Sequence, residues 1–224
     1  MNKSKIHFQS SILPAKGVGI TIAISGGVDS IALAYFLSQG KRPLQLFHFN
    51  HKLRPQNDEM EDSVREFARH FNLPLKVANS HDYPFGKSTS LEAAAREARL
   101  KAMEELNLGY TVVCHHLNDA IESYIMRCML GVMSMKNYYC IPPKTQMTNI
   151  CLVRPFLLTK KDTLMEYATR HHLMEFVVED ETNKDTDIRR NMVRHQLLPL
   201  METEWNGLEK VVAKHVKADY ARFH

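Results

Sequence analysis

The chain has 224 residues, 44% of them apolar and 24% charged, with a formal net charge of +4 at pH 7. That balance suits one globular unit with a sizeable core and excludes a low-complexity or intrinsically disordered chain. Its mild basicity admits a polyanionic partner without requiring one. No apolar run reaches about 18 residues and no apolar stretch follows Met1 to His7, so the chain reads as neither membrane-spanning nor secreted. The cysteines, Cys114, Cys128, Cys140 and Cys151, stand eleven or more residues apart. Without a Cys-x-x-Cys pair there is no support for a zinc site or a cysteine-ligated cluster, and reduced thiols in the cytoplasm are expected.

Residues 1–17 read as a short leader ending near Pro14 and Gly17. Thr21-Ile22-Ala23-Ile24 is a short apolar strand, followed by a glycine turn and a helix that opens on Asp29 and Ser30 and stops before Gly40. Pro43 to Asn50 alternates apolar and polar positions as a second strand, running into the basic loop His51-Lys52-Leu53-Arg54-Pro55. Met60, Val64, Phe67 and Phe71 recur at helical spacing and predict an amphipathic helix over 59–71. Leu73 to Ala78 is a third strand. After a loop from His81 to Thr89, Ser90 caps a helix whose apolar stripe is Leu91, Ala95, Ala98, Ala102 and Leu106.

Tyr110 to Cys114 is a fourth strand, ending at His115-His116-Leu117-Asn118-Asp119, with a helix from about Asp119 to Leu130. Residues 131–150 read as irregular and Cys151 to Val153 as another strand. Thr159-Lys160-Lys161-Asp162 resembles a capping box, with Asp in the usual Glu place, opening a helix to about His172. An acidic stretch, 177–183, precedes the basic run Arg189 to His195. The last thirty residues read as one or two amphipathic helices with Lys210, Lys214, Lys217 and Arg222 on the polar side.

Strands alternating with helices of 10 to 15 residues indicate right-handed βαβ crossovers. The expected fold is therefore α/β: a Rossmann-like, doubly wound, mainly parallel sheet with a short helical C-terminal extension. The expected division is a catalytic domain over 1–200 and a helical tail over 201–224, with no separate C-terminal tRNA-binding domains. Three polar clusters fall at the C-terminal ends of strands, Ser25 to Ser30, Asn50 to Arg54 and His115 to Asp119, the edge where open α/β sheets bind ligands.

The loop Ser25-Gly26-Gly27-Val28-Asp29-Ser30 carries the chemistry most plainly. A helix N-terminus leaves backbone N–H groups unpaired and aimed at an anion. Gly26 and Gly27 let the main chain bend close to a ligand, Ser25 and Ser30 add hydroxyls, and Asp29 suits a metal ion or a polarised water. An ordinary βα turn also carries Gly and Ser; the complete Ser-Gly-Gly-x-Asp-Ser set at the end of a strand favours phosphate. It is neither a Walker loop nor Gly-x-Gly-x-x-Gly.

The loop resembles the pyrophosphate loop of N-type ATP pyrophosphatases, which have an adenine nucleotide alpha hydrolase-like fold. Further stretches narrow the resemblance to the tRNA(Ile)-lysidine synthetases. They are His48 to Arg54, Leu91 to Arg99, His115 to Asp119 with Glu122, Arg154-Pro155-Phe156-Leu157, Glu179 to Asn183, and Arg190-Asn191-Met192-Val193-Arg194. The resemblance runs in order from about residue 18 to 200. It implies an ATP-dependent ligase that adenylates C2 of cytidine 34, at O2, in the CAU anticodon of tRNA(Ile). Free L-lysine then displaces AMP to give lysidine.

The resemblance also distributes roles. Ser25, Gly26, Gly27, Val28, Asp29 and Ser30 would cradle ATP, with Asp29 helping to hold Mg²⁺, and His51 and Arg54 would lie by the adenosine. Arg96 would stabilise the transferring phosphoryl group or hold an RNA phosphate, near Arg99; the plain alternative is a surface pair with Glu92. One of His115 and His116 is expected to be a buried, hydrogen-bonded histidine, and His115 counts among the catalytic candidates. Asp119 and Glu122, three apart on one helical face, suit a metal or the lysine ammonium, or simply complement the helix dipole. Arg190 and Arg194, one turn apart, would form with Arg189 a cationic face for tRNA or ATP phosphate, or a solvated basic helix. Asp180 and Asn183 are candidate turn caps. Members of the family are often homodimers.

Three positions depart from the family pattern: Ala120 stands where Gln follows the Asp, Ser123 where Thr follows the Glu, and Leu130-Gly131 where Arg-Gly begins a glycine-rich segment. Two other readings therefore stay open. One is a related ATP pyrophosphatase with a different acceptor, either a tRNA thiolase or a small-molecule amide-forming synthetase. The other is a nucleotide- or RNA-binding homologue without turnover.

Overall fold

The computed structural model describes residues 5–86, 88, 90–132, 138–179, 189–204 and 207–223. Six strands form one sheet in the order β3-β2-β1-β4-β6-β5: β1 (Ile20–Ala23), β2 (Leu44–Asn50), β3 (Leu75–Asn79), β4 (Gly109–Val113), β5 (Lys144–Gln146) and β6 (Ile150–Val153). All neighbours are parallel except β5, which runs antiparallel to β6. The chain winds outward from β1 through β2 to β3, then returns across the sheet to β4. The C-terminal ends of β1 and β4 are therefore the switch point where connections diverge and a crevice opens.

The helices are α1 (Val28–Ser38), α2 (Gln56–His70), α3 (Leu91–Glu105), α4 (Leu117–Met129), α5 (Lys161–Arg170), α6 (Arg189–Met192), α7 (Leu198–Glu204) and α8 (Leu208–Ala221). A π-helical turn, Val193–Leu197, joins α6 to α7. Strand residues alternate between two cores. Ile20, Ile22, Leu46, Val112 and Val153 meet α1, α2, α4, α5 and α8 on one face, whereas Phe47, Phe49, Ala78 and Leu152 meet Ala98, Ala102 and Met103 of α3 on the other. α8 supplies Val212, Val216 and Tyr220 to the larger core.

Several local expectations need correction. The apolar face of α3 is Ala94, Ala95, Ala98, Ala102 and Met103; Leu91 is 57% exposed, because the first turn projects past the core. Ser90 does cap this helix, accepting from the Ala93 N–H at 3.2 Å. Thr159 does not cap α5. Its hydroxyl donates to the His7 carbonyl at 3.0 Å and accepts from the His7 N–H at 2.9 Å, and Lys160 is the N-cap residue. The leader thus joins the fold, with Ile12 in the core. The region read as irregular contains β5. Asp180 and Asn183 lie outside the described residues.

Candidate active site

The glycine loop leaves β1 and turns at Gly26, where φ is +94°. A Cβ at Gly26 would lie 3.3 Å from the Met60 carbonyl of α2, so both the turn and the packing require glycine here. Ser30 closes the loop from inside: its Oγ accepts from the Ser25 N–H at 3.1 Å and donates to the Gly27 carbonyl at 2.9 Å. Ser25 Oγ in turn accepts from the Gly27 N–H at 3.3 Å. Val178 N–H donates to the Gly26 carbonyl at 3.1 Å, tying the loop to the segment before α6. The loop is held by its own hydroxyls, and the N-terminus of α1 opens into the crevice.

From this loop a chain of charged groups crosses the β1–β4 crevice. Asp29 Oδ2 lies 3.4 Å from His116 Nε2, and His116 Nδ1 lies 3.4 Å from Asp119 Oδ2. Asp119 also accepts from the His116 N–H at 2.8 Å, which starts α4 at Leu117, two residues before the expected position. Arg190 then bridges the acidic pair, Nη2 to Asp119 Oδ1 and Nε to Glu122 Oε2, both at 2.6 Å. Arg194 holds Glu122 by two contacts, Nε at 2.6 Å and Nη2 at 3.0 Å. Glu122 is 1% exposed. Arg190 and Arg194 are thus turned inward onto carboxylates, while Arg189 is exposed.

Burial opposes charge throughout this chain, and neighbours decide the balance. Burial would lower the His116 pKa, but the carboxylates of Asp119 and Asp29 raise it. Burial would raise that of Asp119, yet His116, His115 and Arg190 hold it below the usual carboxylate range. For His115, adjacent in sequence, burial wins: it pushes the pKa down to about 3, against the pull of Asp119 and with Arg154, Arg190 and Arg99 acting in the same direction as burial. It is therefore neutral.

The consecutive histidines line two different cavities. His116 joins Asn118, Glu122, Lys161, Arg194, Leu198 and Pro199 around a cavity of ≈ 140 Å³. His115 joins Arg96, Arg99 and Arg154 around one of ≈ 10 Å³ on the α3 face. Arg96 makes no ion pair with Glu92 among the described residues. At the end of β2, the His51 ring packs edge-on to Phe49 at 5.0 Å and tilts towards Phe85 at 6.3 Å, an aromatic wall beside the loop. Arg54 is exposed. Asn50 braces this corner by donating to Asp58 at 2.9 Å and Glu61 at 2.8 Å.

Asp29, beside the glycine loop, is thus linked through His116 to a second carboxylate, Asp119. The PP-loop domain family matches residues 1–201. The chain belongs to that family. Within it, the PP-loop chain resembles tRNA(Ile)-lysidine synthases. The enzyme of that name from Haemophilus ducreyi is 29% identical over 200 residues, covering 88% of this chain and 45% of the relative. That from Lactiplantibacillus plantarum is 33% identical over 209 residues, covering 90% and 45%. The chain therefore spans less than half the length of these relatives. Among solved structures, the U34-tRNA thiolase NcsA from Methanococcus maripaludis, which carries a [4Fe-4S] cluster, superposes with a TM-score of 0.71 at 15% identity. It covers 93% of this chain and 73% of its own, a likeness of PP-loop fold.

Sequence reasoning gave no individual role to several groups around the PP-loop site. Arg154 follows β6 and obeys the same strand-end rule that flagged the other clusters. Lys161 and Asn118 are joined by a hydrogen bond from the Lys161 N–H to Asn118 Oδ1 at 3.1 Å. No local pattern announces this pairing of α5 with α4. Phe85 sits in a loop without periodicity.

Proposed function

We propose that the chain is the catalytic unit of a tRNA(Ile)-lysidine synthase, acting on tRNA(Ile) with a CAU anticodon, ATP and free L-lysine. The observation that carries this reading is the continuous link from Asp29 through His116 to the Asp119–Glu122 pair. It sets a nucleotide loop beside a cavity whose walls carry both charge signs, Glu122 and Lys161. A zwitterionic amino acid matches that cavity.

In the first step, O2 of cytidine 34 attacks the α-phosphorus of ATP, forming an O–P bond while the α–β bridge breaks and pyrophosphate leaves. Ser25 to Ser30 cradle the phosphates, and the aromatic wall of Phe49, His51 and Phe85 lies by the adenosine with Arg54 at its rim. Arg96 faces the transferring phosphoryl group. Asp29 fits Mg²⁺, since its Oδ1 is buried without a hydrogen-bond partner among the described residues; the ion would neutralise charge on the departing pyrophosphate. In the second step the ε-amine of lysine attacks C2, the C2–O2 bond breaks, AMP leaves and the amine loses a proton. Asp119 and Glu122 orient the ammonium end, and Arg190 and Arg194 hold those carboxylates in place. Arg99 and Arg189 would meet tRNA phosphates.

Burial pushes the Cys114 and Cys140 thiols up to about 12, so they stay protonated and are poor sulfur nucleophiles or cluster ligands. Cys128 is exposed, and the lack of any Cys-x-x-Cys pair weighs against a cluster-dependent thiolase. The test supplies the protein with ATP, Mg²⁺, radiolabelled lysine and a CAU-anticodon tRNA. Lysine-dependent label in RNA, lost in Asp29→Asn, is the expected result. AMP and pyrophosphate release without label in RNA would replace lysine with another acceptor. ATP binding without turnover would make the chain a binding module.

A further inference from the structure

The small cavity on the α3 face is built differently from the rest of the site. It is closed by apolar side chains at the ends of β1, β4 and β6 (Ala23, Val113 and Leu152), and its polar lining is Arg96, Arg99, Arg154 and His115. Among the described residues no carboxylate lines it. Arg154 is 3% exposed; it donates to the Pro142 carbonyl at 2.7 Å and to Thr145 Oγ1 at 3.0 Å through one terminal nitrogen, leaving its Nε unused. Arg154 Nε, Arg99 Nε and His115 Nδ1 are all buried without a hydrogen-bond partner among the described residues.

Three orphaned nitrogens on residues that line one void are costly unless something satisfies them, because each has lost water and gained no partner among the described residues. The cost is compounded by like charge. Burial, with Arg96 adding to it, lowers both Arg99 and Arg154 to about 10. A water molecule would satisfy geometry but not charge. An anionic oxygen satisfies both, and charge-assisted bonds from guanidinium groups are the strong kind.

We propose that Arg96, Arg99, Arg154 and His115 form an oxyanion subsite that takes one oxygen of a phosphate group. The cavity of ≈ 10 Å³ admits about one oxygen-sized atom. The rest of the anion stays outside, against the exposed Arg96. Neutral His115 donates from Nδ1 in the tautomer the anion selects. The subsite shares no lining residue with the cavity bounded by Lys161 and Glu122. This deepens the ligase reading, which brings two phosphates here, from ATP and from the RNA backbone. Anion binding itself does not depend on which amine reacts.

The test follows the His115 ring resonance by NMR in the full chain during titration with inorganic phosphate. A saturable shift is expected, with Kd raised about tenfold in Arg99→Gln. Arg96→Gln, at an exposed position, should raise it about threefold without threatening the fold. Magnesium ATP alone and a CAU anticodon stem-loop alone then identify the natural source: whichever moves His115 with the same sensitivity to Arg99→Gln supplies the oxygen. If phosphate, ATP and RNA all leave the resonance in place, or move it equally in wild type and Arg99→Gln, a water fills the void and the proposal fails. Lysine transfer failing while anion binding persists would remove the ligase reading and leave the subsite.

Discussion

Replacing Glu122 with Gln tests the charged chain at its most buried member. Glu122 accepts Arg190 Nε and Arg194 Nε at 2.6 Å and Arg194 Nη2 at 3.0 Å, so both carboxylate oxygens face guanidinium N–H groups. Glutamine keeps the volume but turns an NH₂ towards one of the donors, leaving at least one guanidinium without an acceptor. Removing one partner of a buried pair costs about 3–5 kcal/mol. The arginine side chains are 31% and 25% exposed, so water recovers part of this. A loss of ~2–3 kcal/mol remains. At about 2–4 °C per kcal/mol for a chain of this size, Tm should fall by roughly 4–12 °C. Urea unfolding of Glu122→Gln, Arg194→Met and the double variant completes a cycle, with an expected coupling of about 1–2 kcal/mol. Stability within about 0.5 kcal/mol of wild type for Glu122→Gln, or strictly additive effects, would refute the reasoning.

Gly26→Ala combines a left-handed φ with a Cβ 3.3 Å from the Met60 carbonyl. It should cost about 1–3 kcal/mol and weaken ATP binding by about tenfold; equilibrium binding with an unchanged Kd would contradict the cradle geometry. Tyr220→Phe removes a buried hydroxyl that accepts from the Leu157 N–H at 3.1 Å and donates to the Arg154 carbonyl at 2.5 Å. A loss of about 1–3 kcal/mol is expected in chemical denaturation, and a negligible change would show that water replaces both bonds. His115 is held near pKa 3 by burial, below the 6.5 of an exposed histidine. The unfolded chain therefore binds the extra proton first, so this residue's contribution is intact above about pH 6.5 and is lost as pH falls towards 3. Stability profiles of wild type and His115→Gln should converge on acidification by up to ~1.4 kcal/mol per pH unit; parallel profiles would rule out a buried neutral ring.

The sheet was legible because its strands are short apolar runs separated by helices with clear periodicity, and because the crossover rule leaves few topologies. The PP-loop was legible because its function needs a fixed set of small residues in consecutive positions. What stayed hidden depends on contacts between distant segments. Arg190 and Arg194 read as an outward basic stripe because helical spacing describes a face but not what it meets; their acceptors lie about 70 positions earlier. Thr159 matched a capping pattern, yet its hydroxyl was taken by His7 from the far end of the chain. Arg154 was visible as a motif but not as a cavity wall, since its role depends on α3 lying over the ends of β4 and β6. The short β5 carries too few residues to show a period.

The inward arginines set the terms on which the crevice would bind an amine under the proposed function. Both oxygens of Glu122 already receive guanidinium hydrogens, so a cation arriving there enters by exchange and not by addition. Its apparent affinity is the difference between two ammonium-like contacts, which favours modest binding and quick release. A displaced guanidinium does not disappear; it becomes an unpaired positive charge one helical turn from its neighbour, on the rim of a pocket also lined by His116 and Lys161. On the proposed ligase reading, arrival of the amine would thus add positive potential beside His116, the residue that links Asp119 to Asp29 of the glycine loop.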